Sequence, residues 1–298
     1  MNPDQIGFLT LLKKEIMRFT AVLAQTVGAP VITAILYLLV FAQAMQGRAS
    51  AYEGITYTQF LLPGLVMMTV IQNAFANTSS SVIQSKLMGN LVFLLMSPLG
   101  AFEWFCAYVL AALVRVILVA AAMLAVTMPF VHLPVEAPMV LVAEFLLAGG
   151  SLAVLGLMTG IIAQRFDHIA SVTNFVIAPA SFLSGVFYSV HSLPDIWFTV
   201  SHLNPFFYMI DGFRYGFFGY SDVAPWISLS WSAGFFIACS VACMIPAALQ
   251  CPTHQKSPTP ERHDQRRNTR PDPGRSARCP GSGSWRRWPA FRGRGHLR

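Results

Sequence analysis

Charge is what this sequence has least of. Only 11% of its 298 residues are charged, against 55% hydrophobic, where a soluble domain carries about 25% charged residues. Too few polar side chains remain to cover a water-facing globule of this length, so lipid is the expected solvent. Lysine is scarcer still: Lys13, Lys14, Lys86 and Lys256 are the whole set, and none follows a glycine. A P-loop needs a glycine-rich turn ending in Gly-Lys-Ser/Thr, so that backbone N–H groups and the lysine cradle the phosphates. That nucleotide site is excluded from this chain. The five cysteines, Cys106, Cys239, Cys243, Cys251 and Cys279, form no CxxC pair and have no histidine at ligand spacing, so they read as small buried residues rather than a metal or redox centre. Neither a GxSxG elbow nor an HExxH helix is present. Ser201, His202 and Asp211 lie close together, but no set of nucleophile, base and orienting group can be assembled around any histidine.

The formal charge of +7 does not describe the body of the chain. Residues 251–298 hold 12 basic and 3 acidic residues, leaving 8 basic and 10 acidic in residues 1–250. The basic balance therefore belongs to a C-terminal stretch rich in Arg, Pro, Gly and Ser, without periodicity, which buries too little apolar surface to offset chain entropy. Two readings of it stand: a disordered basic arm on anionic lipid, or an out-of-frame ending. The second is preferred, and no nucleic-acid partner is expected from the charge.

What is present in quantity is long apolar runs. Residues 1–21 read as an amphipathic interfacial helix. Ile6, Leu9, Leu12, Ile16 and Phe19 recur at spacings of three and four, with Lys13, Lys14 and Arg18 on the polar side facing headgroups. The apolar segments Val22–Phe41, Phe60–Thr78, Trp104–Phe130, Met139–Ile162, Ile169–Val190 and Trp226–Leu249 follow, each near the ~20 residues that cross a bilayer. The first is too long for a signal-peptide core of about 7–15 residues, and Pro30 is expected to kink it. The fold class is therefore all-α integral membrane: six transmembrane helices over residues 22–250, the interfacial helix before them, and an outer re-entrant helical segment. That segment is residues 188–224, too apolar for a free loop and too interrupted for a span. Lys13, Lys14, Arg18, Lys86 and Arg165 on one side outnumber Arg48 and Arg214 on the other, which places both termini in the cytoplasm.

Ionisable residues inside spans are costly and are functional candidates by default. Arg115 falls mid-span in the third segment and Glu144 several residues into the fourth. They are candidates to pair across adjacent helices, although a depth difference of ~15 Å at 1.5 Å rise per residue requires snorkelling or a register shift; packing locks are the alternative. Gly156-Leu157-Met158-Thr159-Gly160 is a GxxxG that permits close helix approach, expected within the chain rather than between chains. Gly212 and Gly216 repeat the spacing.

Several motifs in order carry a resemblance: Tyr57-Thr58-Gln59-Phe60-Leu61-Leu62-Pro63-Gly64, Leu94-Leu95-Met96-Ser97-Pro98-Leu99, Ser184-Gly185-Val186-Phe187-Tyr188-Ser189, Ser201-His202-Leu203-Asn204-Pro205 and Gly212-Phe213-Arg214-Tyr215-Gly216. Over about residues 5–249 the chain resembles the ABC-2 type (type-2 ABC) exporter permeases of the bacterial inner membrane. The resemblance implies two paired permease copies, each resting on a separate ABC ATPase subunit that binds ATP and magnesium, with no cofactor in this chain. It implies an ATPase-coupling segment at 82–95, with Ser85, Lys86, Leu87, Gly89, Asn90, Leu94 and Leu95. It implies an exit region around Gly185, Phe187, Tyr188, Asn204, Pro205 and Arg214. Gly89-Asn90-Leu91-Val92-Phe93 is uncharged where relatives carry charge, which implies a more apolar docking surface or weaker coupling. Export of a lipid-linked, polysaccharide or drug-like substrate is the expected function. An integral membrane transferase, which needs converging polar groups at one depth, and a non-transporting scaffold are the alternatives.

Overall fold

A computed structural model describes residues 3–44, 55–90, 100–131, 133–189 and 194–250, and no strand occurs among them. All belong to one compact unit, Met1–Thr253; the basic stretch after it lies outside the described residues. The helices are α1 (Pro3–Thr20), α2 (Leu23–Ala44), α3 (Tyr57–Leu87), α4 (Ala101–Thr127), α5 (Pro138–Ile162), α6 (Phe166–Val172), α7 (Ala178–Phe182), α8 (Asp195–Leu203), α9 (Pro205–Phe218) and α10 (Pro225–Gln250).

Five of these, α2 to α5 and α10, are long and apolar enough to cross a membrane, where the sequence led us to expect six. The difference lies at Ile169–Val190. There α6 passes into a π turn at Thr173–Ile177 and then into the five-residue α7. Pro179 explains the break: it has no N–H, and its ring crowds the carbonyl four residues back, so the helix widens and Ala178 N bonds Thr173 O instead. The helix then stops at Phe182, and the chain turns through Gly185, whose φ of 74° favours glycine.

The centre of the bundle is α3. It runs 31 residues, or about 46 Å at ~1.5 Å per residue, well beyond the ~30 Å hydrocarbon layer. Its apolar residues from Phe60 to Ile83 are largely buried because α4, α5 and α9 surround it. Contact with α5 is closest where the glycine pair lies. A Cβ on Gly156 would overlap Thr78 Oγ1 and the Phe75 carbonyl, and one on Gly160 would lie 2.8 Å from Val82 Cβ. Thr78 Oγ1 donates to the Ala153 carbonyl across this seam at 2.7 Å. The expected close approach is therefore made within the chain. The second pair does the same for α9: Gly216 meets Leu141, and Gly212 meets Glu144, both on α5.

Helix α1 buries Leu11, Glu15 and Phe19 and exposes Ile6, Leu9 and Met17 together with Lys13 and Lys14. Arg18 departs from the expected polar face. It turns inward and lies beside the last third of α3, so the bundle has an α1 end and an α9 end.

Candidate functional site

At the α9 end the re-entrant segment forms two short helices packed against the bundle. Asn204 starts α9: its Oδ1 accepts from Phe206 N at 3.0 Å, and its Nδ2 donates to the Ala180 carbonyl at 2.6 Å. Pro205 takes the first helical position, where a missing N–H costs nothing. Gly219, with φ 70°, ends the helix in the left-handed conformation usual at that position. At 14 residues α9 is too short to span.

Arg214 is turned into the protein and only 2% exposed. Its guanidinium carbon sits 3.8 Å from the centroid of the Phe60 ring at the start of α3. Its Nη2 donates to the Gly185 carbonyl at 3.0 Å. One side chain thus joins α3, the turn after α7 and α9. Beside it, Tyr57 donates its hydroxyl to the Phe187 carbonyl at 2.8 Å. The Phe187 ring packs with Tyr37, Phe41 and Phe182 at centroid distances of 5.7, 4.8 and 5.5 Å. Tyr188 donates more weakly to the Phe182 carbonyl, at 3.4 Å. Gly185, Phe187, Tyr188, Asn204, Pro205 and Arg214 therefore gather at one end of the bundle.

Asp211 was not singled out in the sequence as part of this assembly. It accepts from Asp222 N and Val223 N at 2.9 and 3.0 Å, tying α9 to the start of α10. Burial pushes its carboxyl up to about 6, against the opposing effect of those N–H groups and of Arg214.

Arg115 and Glu144 do not pair. Glu144 is fully buried where α5 meets α9 and α10, and among the described residues neither of its carboxylate oxygens has a hydrogen-bond partner, although Ser232 faces it. Arg115 points instead to α3, where Nη2 donates to Asn73 Oδ1 and Nη1 to Asn77 Oδ1, both at 3.2 Å. Glu144 faces Gly212 of α9, whereas Arg115 faces α3, whose amides it reaches.

Arg115 belongs to a polar cluster at the α1 end. Arg18 Nη2 donates to the Asn77 carbonyl and to Asn77 Oδ1 at 2.9 and 3.0 Å. Arg18 Nε meets Glu15 Oε2 at 3.1 Å, and Ser81 donates to the same oxygen at 2.6 Å. The sequence signal for this cluster was Asn73 and Asn77, two amides one turn apart inside an apolar span. Glu15 was hidden among the lysines of α1. Between α2 and α3, next to Asn73, lies a cavity of about 300 Å³ whose wall includes Thr33, Thr69, Gln72 and Asn73.

Of the residues expected from the sequence to couple to an ATPase, Ser85 is buried. Lys86 donates to the Ile161 and Ala163 carbonyls at the end of α5, the second at 3.1 Å. These are carbonyls that a helix C-terminus leaves without intrahelical donors. Leu87, Gly89 and Asn90 are exposed; Leu94 and Leu95 lie outside the described residues.

A membrane-spanning helical bundle with a long central helix and a re-entrant helical end suits a transporter's membrane subunit, and comparison with known proteins shows which kind. The chain matches the ABC-2 type transporter family over residues 7–218 and belongs to it: it is a multi-pass membrane permease subunit of an ABC transporter. It is 38% identical over 218 residues to the inner membrane transport permease YadH of Escherichia coli and of Shigella flexneri, covering 73% of this chain and 85% of each relative. It is also 29% identical over 187 residues to nodulation protein J of Sinorhizobium fredii, covering 57% of this chain and 64% of that protein.

Proposed function

We propose that this permease works as an exporter in the bacterial inner membrane, as a pair of copies, each driven by a separate ATPase chain that docks at the α1 end. On this reading both termini face the cytoplasm, ATP and magnesium are held by the ATPase, and a lipid-linked, polysaccharide or drug-like substrate leaves past α9. The observation that carries it is the end of α3. Leu87 and Met88 expose 58% and 64% of their surface where the chain turns at Gly89 (φ 72°). Two large apolar side chains at the tip of a helix that outruns the bilayer suit a protein partner. Because the ammonium of Lys86 is engaged with α5, docking falls to Leu87, Gly89, Asn90, Leu94 and Leu95. Ser85 and Lys86 hold the root of the segment.

The test is purification of the full chain from native membranes in mild detergent, with co-purifying proteins identified by mass spectrometry. A stoichiometric P-loop ATPase is expected, lost when residues 87–95 are scrambled and the spans are left intact. Recovery of the folded chain alone, repeatedly and without an ATPase, would reject the reading.

A further inference from the structure

We infer that the cavity between α2 and α3 takes the anionic headgroup of a lipid-like amphiphile, selected by the positive charge of Arg115 behind the cavity wall. The charge count of the cluster points this way. Arg18 and Arg115 both donate to Asn77 Oδ1, at 3.0 and 3.2 Å. Glu15 is the acid of the cluster, and its Oε2 is taken by Arg18 and Ser81. Among the described residues Arg115 therefore has only the neutral amides of Asn73 and Asn77 as hydrogen-bond partners, and its buried Nε has none. A guanidinium in an apolar span without a counter-charge is costly, and such residues mark substrate pathways.

The cavity supplies the place for the missing anion. Asn73, one hydrogen bond from Arg115, is part of its wall, and among the described residues no acidic residue lines it. Gln72 lies beside Asn73 on the wall, and its carboxamide is the free donor there among the described residues; the Thr33 and Thr69 hydroxyls already donate to the Ala29 and Leu65 carbonyls. A volume of about 300 Å³ suits a headgroup rather than a whole lipid. The acyl chains stay in the bilayer along α2, which exposes Ile32 and Leu36. The Gln72 amide donates to a phosphate or carboxylate oxygen in the cavity, and the Arg115 charge, one hydrogen bond behind Asn73, favours an anion there through space in the low-dielectric span. As the loading site of an exported cargo, this assignment rests on the proposal above; as a binding site it does not.

The test uses the full chain in a neutral detergent and follows thermal unfolding while short-chain phosphatidic acid, phosphatidylcholine of the same chain length, or inorganic phosphate is titrated. Phosphatidic acid is expected to give a saturable rise in unfolding temperature, and phosphatidylcholine and phosphate none. Arg115→Gln is expected to weaken the response at least ~10-fold, about 1.4 kcal/mol. Should that variant fail to fold, Gln72→Leu, which removes no protein hydrogen bond, is expected to weaken it as well. Equal responses to phosphatidic acid and phosphatidylcholine would overturn the proposal, as would full affinity in Gln72→Leu. A response to phosphate alone would overturn the lipid assignment. Loss in Lys13→Gln/Lys14→Gln, with retention in Arg115→Gln, would move the anion to α1. Binding that survives while ATP-driven export is never found leaves the site standing and removes the export reading alone.

Discussion

The guanidinium of Arg214 lies 3.8 Å over the ring of Phe60, so the first turn of the central helix and the re-entrant helix are held together by a buried cation on an aromatic face. No acid forms a salt bridge with this arginine among the described residues; Asp211 acts on it through space while its own oxygens hold α10. A desolvated contact of this kind contributes about 2 kcal/mol or more.

Phe60→Leu is accordingly expected to lower stability by about 2–4 kcal/mol, combining the lost cation contact with the volume change. Phe60→Tyr should be close to neutral only if its hydroxyl finds a partner. Arg214→Lys keeps the charge but loses the planar fork that bonds Gly185 and stacks on the ring, and is expected to lie between the wild type and Arg214→Gln. Thermal unfolding of the purified variants gives the order, and a Lys variant as stable as wild type would show that charge alone suffices.

Lys86 offers a prediction that separates clamping from docking. Its ammonium bonds two carbonyls at the end of α5, and charge-assisted bonds of this type contribute about 1.5–3 kcal/mol. Lys86→Met should therefore destabilise the bundle by about that amount while leaving the exposed tip of α3 able to bind. Leu87→Asp/Met88→Asp should do the opposite, with stability kept and ATPase lost. Pull-down yield measured beside thermal stability distinguishes them. Loss of the ATPase in Lys86→Met at unchanged stability would make the lysine a docking contact after all.

The membrane class and most of the span positions were legible in composition and periodicity, because burying apolar side chains in lipid needs only length and hydropathy. The break at Pro179 was less so. A proline in an apolar run is compatible with a kinked span, and only the packing of the turn at Gly185 fixes where the helix ends. Charged residues were located correctly but not partnered. Arg115 and Glu144 were visible as intramembrane charges, yet which of several neighbouring helices each would face depends on rotation and depth that a linear pattern does not encode. Arg18 shows the same limit, since its spacing fits either face of α1 until Asn77 and Ser81 are known to lie beside it. The motif residues at the α9 end lie together in the fold, and Asp211 joins them through backbone partners, which leave no sequence signal.

Glu144 is a place where stability and function should part. A buried carboxyl without a hydrogen-bond partner carries its desolvation cost uncompensated, about 1–3 kcal/mol or more. Glu144→Leu is expected to raise the unfolding temperature, provided the branched side chain packs against Gly212. Export by the assembled transporter is expected to fall if the carboxyl is used when α9 moves. A clear loss of stability in Glu144→Leu would instead mean that the carboxyl is hydrogen-bonded, with Ser232 the first candidate for partner.

The last expectation concerns pH and follows from Asp211. Its folded-state value, about 6, lies above the ~3.9 of a free aspartate, so the folded protein holds a proton that the unfolded chain has already released. The sign is the reverse of that for a salt-bridged carboxylate: this group's contribution to stability is fully present below about pH 4 and is lost as the pH rises through about 6. A shift of this size corresponds to on the order of 3 kcal/mol. Asp211→Asn, which cannot titrate, should remove that dependence. Thermal unfolding of both proteins from pH 4 to pH 7 gives the test as a difference, so that other titrating groups cancel. Wild type is expected to lose stability relative to Asp211→Asn across that interval. A difference that stays flat, or that grows in favour of wild type at high pH, would mean that the Asp222 and Val223 N–H groups hold Asp211 ionised and outweigh its burial.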